Sequence, residues 1–337
     1  MRAAVFGETG QISVVEREPA DPRPGWVRLA VSAVGICGSD LNLLYAHGDL
    51  SRGVQPGHEV AGTVEAVGDG VTVEPGSLVA LEPLMGCGHC NHCRRGAHNL
   101  CATVKLFGFT RPGGMAERLN VPADGLYVMP ADMSPSVVAL TEPLAVCVRG
   151  VRLGGITLGE TVAVLGAGSI GLLTILAARQ AGAREVLITA RYPHQRELAE
   201  TLGANAVFDD ADDLLRAVGD QHVDVVVETV GGRADTLSEA VKVARHGGRI
   251  VMLGVFEGRT PLPSFDFFRK ELTLRASNCY GREQRHGDFA LATAMIGVHR
   301  ADVEPLITHR FKLDQVAEAF ATAADKKTES IKVQVEP

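Results

Sequence analysis

Aromatic side chains are scarce in this chain: 11 Phe, 4 Tyr and 1 Trp among 337 residues. With so few rings, the core has to be built from Val, Leu, Ile and Ala, as in α/β proteins with buried parallel sheets. Positive charge is also short. Lys and Arg number 33 against 40 Asp and Glu, a net charge of −7, and no Lys/Arg block stands out. A broad nucleic-acid-binding face is therefore not expected. The opening MRAAVFGETG lacks a charged leader followed by an apolar stretch, so no secretory signal is expected. An uninterrupted membrane span is missing too. Thr161–Ala178 carries no formal charge, but Gly166, Gly168 and Gly171 break it, and a buried strand, a glycine turn and a buried helix account for it. Disorder is excluded by 46% apolar and 22% charged residues.

What is present points to two domains, or one large one, since the length exceeds one ordinary core. The first 125 residues read as short strands between turns, with Ala3–Phe6, Ile12–Val15, Val27–Val34 and Val60–Val67 as β-rich runs. From about Ser134 the character changes to alternating strands and helices. The pattern predicts strands at Thr161–Leu165, Glu185–Thr189, Ala206–Phe208, Val223–Glu228 and Arg249–Leu253, with helices over 169–181, 194–202 and 233–244. That rhythm is the signature of a doubly wound parallel sheet. Helices near 285–297 and Gln315–Ala324 and a strand Ser330–Val335 close the chain. A discontinuous first domain, completed by the C-terminal segment, with a nucleotide domain inserted, fits this order.

Gly166, Gly168 and Gly171 have the G-x-G-x-x-G spacing between a strand and a helix, with Ser169 and Ile170 between the last two. The first glycine permits a sharp turn, the second leaves room for a pyrophosphate, and the third lets helix and strand approach. The helix N-terminus adds free N–H groups. A dinucleotide is expected here, with Gly254 after the fifth strand also lining it. At the end of the second strand an acidic residue would hold the ribose of NAD. Ala190 and Arg191 stand there instead, and a guanidinium suits a 2′-phosphate, so NADP is expected over NAD.

Seven cysteines is an odd count, and four of them fall within fifteen residues. Such crowding favours metal thiolates in a reducing cytoplasm over a disulfide framework. Cys87, Cys90, Cys93 and Cys101 can close a tetrahedron around zinc, leaving no position for water, which makes the site structural. His89, His92 and His98 are expected to be exposed. A second set is scattered: Cys37 in GICGSDL, His58 and Glu59 in PGHEVAG, and Glu142 before Pro143. One thiolate, one imidazole and one or two carboxylates leave zinc an open position for substrate. Taken singly, Cys37 also reads as a small core residue and His58 as a loop side chain.

Together these residues resemble the zinc-dependent medium-chain dehydrogenase/reductase family over nearly the whole chain. The markers are GICGSD at 35–40, PGHEVAGTVEAVG at 56–68, the cysteine lobe and GAGSIG at 166–171. Glu142 in EPLA is similar to the sorbitol, threonine and butanediol dehydrogenase branch. The resemblance implies an α/β architecture: a GroES-like catalytic domain over 1–145 and 286–337, with its zinc lobe at 86–102, and a Rossmann domain over 146–285, with a cleft between them. It implies two zinc ions per chain and a dimer or tetramer paired through the nucleotide domain. Cys37, His58 and Glu59 would ligate the catalytic zinc, and Glu142 would be an interchangeable fourth ligand or hold the zinc-bound water. Zinc would lower the pKa of a substrate alcohol, whose hydride then passes to the nicotinamide. Ser39 resembles the family's proton-relaying hydroxyl; a helix-capping serine is the alternative. Where relatives often carry a relay histidine this chain has Asn42, so water or His47 would serve. Cys147 is expected in the core.

Glu59 and Glu142 favour a hydroxyl-rich substrate: a polyol, sugar, aminocyclitol or vicinal diol. Tyr45, Leu84, Phe107, Phe109 and Phe265 are candidate pocket residues. An NAD-dependent L-threonine dehydrogenase, a zinc-free reductase of the same superfamily and a non-catalytic NADP-binding protein are the rival readings.

Overall fold

The computed structural model describes residues 1–46 and 52–337. His47 lies outside the described residues. The described chain divides into two units, Met1–Glu142 with Gly281–Pro337, and Pro143–Tyr280.

In the second unit six strands are hydrogen-bonded in the order Ala206–Phe208, Glu185–Thr189, Thr161–Leu165, Val223–Glu228, Ala244–Met252, Thr273–Ala276. Every neighbouring pair is parallel. Counted along the chain the order is 3-2-1-4-5-6, that of a dinucleotide-binding doubly wound sheet. Val162, Ala163, Val164, Val225, Val226 and Val227 are without exposure. Strands covered on both faces carry continuous apolar runs, which is why four of the six have the bounds read from sequence. The helices Ser169–Gln180 and Pro193–Thr201 each depart from the expected span by one residue at one or both ends.

The third expected helix is shorter, Thr236–Val243. Gly231 and Gly232, at φ of 61° and 62°, keep the chain out of helical geometry before it, and Ala244 after it already begins the next strand. Four elements in this part of the chain escaped the sequence reading. One is the helix Ala211–Val218, capped by Asp210, whose carboxylate accepts from the Asp213 amide at 2.7 Å. The others are the short helix Ser264–Arg269, the edge strand Thr273–Ala276 and the helix Thr141–Gly154, which carries the chain from the first unit into the second.

The first unit is built on a seven-stranded sheet. Its order is Ile307–Lys312, Lys332–Glu336, Trp26–Gly35, Glu59–Val67, Leu78–Leu81, Leu126–Val128, with Arg118–Pro122 also pairing with Trp26–Gly35. The alternating burial of Trp26–Gly35 follows its apolar-polar alternation, one face inward. Val27, Leu29, Val34, Val60, Val64, Met115 and Phe320 fill the core. The last strand pairs antiparallel with Trp26–Gly35, Gln334 opposite Gly35, and this pairing stitches the C-terminus into the N-terminal unit. Among the described residues no helix is long and apolar enough to cross a membrane.

Candidate active site and metal centres

Glu59 opens the strand Glu59–Val67, and Cys37 caps the helix Gly38–Tyr45 that leaves the end of the neighbouring strand. The register sets Gly35 opposite Glu59. Strand pairing thus brings Cys37, His58 and Glu59 together, with one potential ligand atom from each lying within 4.8 Å of the others. His58 and Glu59 are buried, at 5% and 1% exposure. His58 Nδ1 faces Asp40 Oδ1 across 3.5 Å, and neither atom has a closer hydrogen-bond partner among the described residues. Asp40 is itself fixed, because its other oxygen accepts from the Cys37 amide at 3.0 Å. A carboxylate behind an imidazole is the usual support of a metal-binding histidine, and it leaves the other ring nitrogen to ligate. Burial alone would lower the His58 pKa, but the charge and hydrogen bonding of Asp40, with help from Cys37, hold it well above its usual value. An imidazole, a thiol and a carboxylate converging on one point are a donor set that a cation can take up with release of their protons.

A residue absent from the sequence reading completes this centre. Lys332 is 2% exposed, and its ammonium donates to both Glu59 oxygens at 2.6 and 2.7 Å and to the Ile36 carbonyl at 3.2 Å. Burial pulls its pKa down, but the charges of Glu59, Cys37 and Glu142 keep it above the ordinary value.

In the lobe, the sulfurs of Cys87, Cys90, Cys93 and Cys101 all lie within 4.8 Å of one another, and Cys87 Sγ is 3.9 Å from Cys93 Sγ. A zinc tetrahedron with arms of about 2.3 Å has edges of about 3.8 Å, so the donors fit that ion. The Cys87 amide donates to Cys101 Sγ at 3.4 Å and the Cys90 amide to Cys87 Sγ at 3.4 Å. The Thr103 hydroxyl, with the Cys87 amide, brings the Cys101 thiol down to about 6, while burial, with its sulfur neighbours, pushes Cys93 up to about 11. Four crowded thiols cannot all ionise without a cation among them. All seven cysteines are unpaired by disulfide.

In the second unit the glycine loop follows the central strand. Gly166 has φ +98°, and a Cβ on Gly171 would stand 1.9 Å from the Gly166 carbonyl. At Gly168 a Cβ would meet nothing within 4 Å, which is the open backbone approach a pyrophosphate requires. The Thr189 hydroxyl accepts from the Gly166 amide at 2.9 Å and ties the loop to the second strand. Ala190 is buried and Arg191 exposed beside it. Gly254 packs against Glu228, where a Cβ would come within 2.4 Å of the carboxylate.

Residues 23–131 match the family of the alcohol dehydrogenase GroES-like domain, and residues 169–295 match the zinc-binding dehydrogenase family. The chain is 34% identical to 2-dehydro-3-deoxy-L-galactonate 5-dehydrogenase of Pseudoalteromonas atlantica, covering 100% of this chain and 98% of that one. This chain belongs to the zinc-dependent medium-chain dehydrogenases, in the sorbitol/threonine-like branch. It is also 33% identical to sorbitol dehydrogenase 2 of Saccharomyces cerevisiae, over 94% of this chain and 93% of that one. A solved zinc-binding dehydrogenase from Sinorhizobium meliloti 1021 bound to NADP superposes with TM-score 0.91 and 33% identity, over 100% of this chain and 99% of that one. The first unit is thus the GroES-like fold and the second the Rossmann fold, in an oxidoreductase that uses zinc and NAD(P).

Within this dehydrogenase the remaining candidates are placed as follows. Glu142 is buried in the first turn of the helix Thr141–Gly154 and lies outside the group formed by Cys37, His58 and Glu59. Ser39 and Asn42 lie within the helix Gly38–Tyr45; the cap is Cys37, so Ser39 is not the capping residue. Phe109 packs on His58 with ring centroids 5.5 Å apart. Phe107 is 1% exposed and belongs to the core, and Leu84 is also buried. Phe265 and Tyr45 are exposed. Cys147 is buried, its thiol donating to the Pro143 carbonyl at 3.2 Å.

Of the three lobe histidines expected to be exposed only His89 is, and His92 is half-buried. His98 is buried, not exposed: its Nε2 lies 2.8 Å from Glu82, which also accepts from the Tyr127 hydroxyl at 2.9 Å and from Arg282 Nε at 3.1 Å. Lobe, sheet and C-terminal segment meet on this one carboxylate. Burial would raise the Glu82 pKa, but the His98 hydrogen bond and the Arg282 charge hold it below its ordinary 4.5. A depressed carboxyl stabilises the fold above the unfolded value and loses that contribution as the pH falls through the folded one. The acid-side fall in Tm, below about pH 4.5, is therefore expected to be shallower in Glu82→Gln than in the parent, whatever the offset between them; parallel curves would contradict this.

Proposed function

We propose that this chain oxidises a secondary alcohol of the polyol, sugar, aminocyclitol or vicinal-diol class, preferring NADP to NAD, at a catalytic zinc held by Cys37, His58 and Glu59. The observation that carries the reading is the convergence of those three side chains on one buried point. A second, structural zinc is assigned to Cys87, Cys90, Cys93 and Cys101. A zinc held there would supply the Lewis acidity that makes an alcohol oxygen acidic near neutral pH, and a bound nicotinamide would supply the hydride acceptor. The protein's own part is to orient and to move protons. Asp40 fixes the His58 ring, and Phe109 packs against it at a tilt. Ser39, two residues beyond Cys37 on the same helix, takes the alcohol proton. Glu142, outside that group of three, would serve as an interchangeable fourth ligand or hold the zinc-bound water.

NADP is supported by Arg191, exposed beside the small Ala190 with no acidic side chain between them and the strand end. The names of the sugar-acid and sorbitol dehydrogenases among its relatives support the hydroxyl-rich substrate. Self-association through the Rossmann unit, as a homodimer or homotetramer, is supported by the edge strand Thr273–Ala276 and by Phe265 and Phe268, 73% and 79% exposed. Seven cysteines, none of them in a disulfide, support a cytoplasmic setting.

A panel of alcohols with NAD and NADP, followed by nicotinamide absorbance, tests the substrate class and coenzyme together. Turnover of hydroxyl-rich alcohols with NADP is expected; turnover of L-threonine with NAD alone would overturn both. A charge-assisted hydrogen bond to phosphate is worth about 1.5–3 kcal/mol. Arg191→Ala should accordingly raise KM for NADP by about 10- to 100-fold and leave KM for NAD nearly unchanged. Equal changes would remove Arg191 from the coenzyme site.

A further inference from the structure

The ammonium of Lys332 has three protons, and all three are used: two on the oxygens of Glu59 and one on the Ile36 carbonyl. Packing alone does not call for a cation in this place. An apolar side chain of similar volume would fill it without taking a charge out of water. The carboxylate it grips is also one of the three groups that converge on the catalytic point. Glu59 therefore has two claims on it, one from the lysine and one from the metal.

The surroundings restrict where that carboxylate can lie. The strand Trp26–Gly35 runs between Glu59–Val67 and Lys332–Glu336, and Gly35 stands opposite Glu59 on one side and Gln334 on the other. A Cβ at Gly35 would stand 1.8 Å from Glu59 Oε2. The carboxylate occupies the space that a bare backbone at position 35 leaves open, with the lysine closing the other side. The Ile36 amide donates to the Val333 carbonyl at 2.9 Å, so the lysine's own strand is pinned next to the cysteine ligand.

Resting on the zinc reading above, we propose that Lys332 is a positioning residue that competes with the catalytic metal for Glu59. It restrains the carboxylate to one oxygen on the metal, so that the second Glu59 oxygen does not close the fourth position against the substrate. The lysine acts through Glu59 and touches neither substrate nor coenzyme.

Cobalt(II) loaded in place of zinc reports on this directly, since its visible absorption depends on the number and kind of ligands. The catalytic site of Lys332→Met is expected to hold cobalt at least about tenfold more tightly than the parent, the size of effect outer-shell groups have on metal affinity. Its absorption should shift, and KM for the alcohol should rise as the second Glu59 oxygen must be displaced. Lys332→Arg, which keeps the cation, should stay near the parent in all three. In the double variant Glu59→Gln/Lys332→Met the tightening should vanish, because no carboxylate is left to gain. If Lys332→Met does not fold, Lys332→Gln is read instead; it releases at least one carboxylate oxygen and should tighten cobalt in the same direction. Unchanged cobalt affinity and absorption in the lysine variants, with lowered stability only, would make Lys332 a structural residue and overturn the proposal while leaving the zinc centre standing. A parent chain that binds metal only at the four cysteines would overturn the zinc reading itself, and this inference with it.

Discussion

Gly35→Ala is expected to destroy the catalytic centre although it adds a single methyl group. The new Cβ would stand 1.8 Å from Glu59 Oε2 and 2.9 Å from its carboxyl carbon. The backbone cannot retreat, because Gly35 is paired with a strand on each side. The carboxylate has to leave Lys332, and a buried ammonium without its partner costs about 3–5 kcal/mol. Metal content should drop by the catalytic ion, and kcat/KM should fall by about 10³-fold or more with loss of the Lewis acid. Gly38→Ala is the control for stability. Its Cβ would meet nothing within 4 Å, and a surface change of this kind shifts stability by about 0.5 kcal/mol or less. Metal analysis, kinetics and denaturant midpoints read the pair. A Gly35→Ala protein with full metal and parental turnover would show that Glu59 does not lie where the structure places it.

The second large effect belongs to the lobe. Between positions 86 and 102 only Ala97 and Cys101 are buried apolar residues, with His98 and Asn99 the buried polar ones. Such a segment has almost no core of its own, so its order depends on the ion and on the Glu82 anchor. Structural zinc contributes about 10–16 kcal/mol in small sites, as much as the whole stability of a typical domain. Cys93→Ser is thus expected to lose one zinc per chain, to expose the lobe to proteolysis and to lower the thermal transition steeply. An unaltered transition with one zinc fewer would contradict the assignment of this ion as the lobe's support.

Much of this was legible because it is local. The glycine loop, the cysteine spacing and the central strands are each encoded by a few consecutive residues, and continuous Val-rich runs leave little freedom for where a buried strand starts and stops. What escaped is long-range. Lys332 reads as one charge in a C-terminal strand; its partner Glu59 lies 273 residues away, and only the antiparallel pairing of that strand brings them together. His98 resembles its exposed neighbour His89 in sequence, yet it is buried against Glu82, a carboxylate that Arg282 also reaches from a distant segment. Phe107 and Phe109 flank one glycine, but the first packs in the core and the second on His58, a division that loop geometry decides. The helix Thr141–Gly154 is not expected from the sequence although Glu142 is singled out there; it carries Pro143 in its first turn, where proline is tolerated.

The central claim is that a zinc ion on Cys37, His58 and Glu59, separate from the one on the cysteine lobe, makes this chain a dehydrogenase. Titrating metal-free protein with zinc, while following thermal stability and NADP-linked turnover of a hydroxyl-rich alcohol, tests it most directly. Four thiolates should fill first, so the first equivalent is expected to restore stability without turnover and the second to restore turnover. Full turnover in protein holding zinc only at the four cysteines, or in zinc-free protein, would contradict the account.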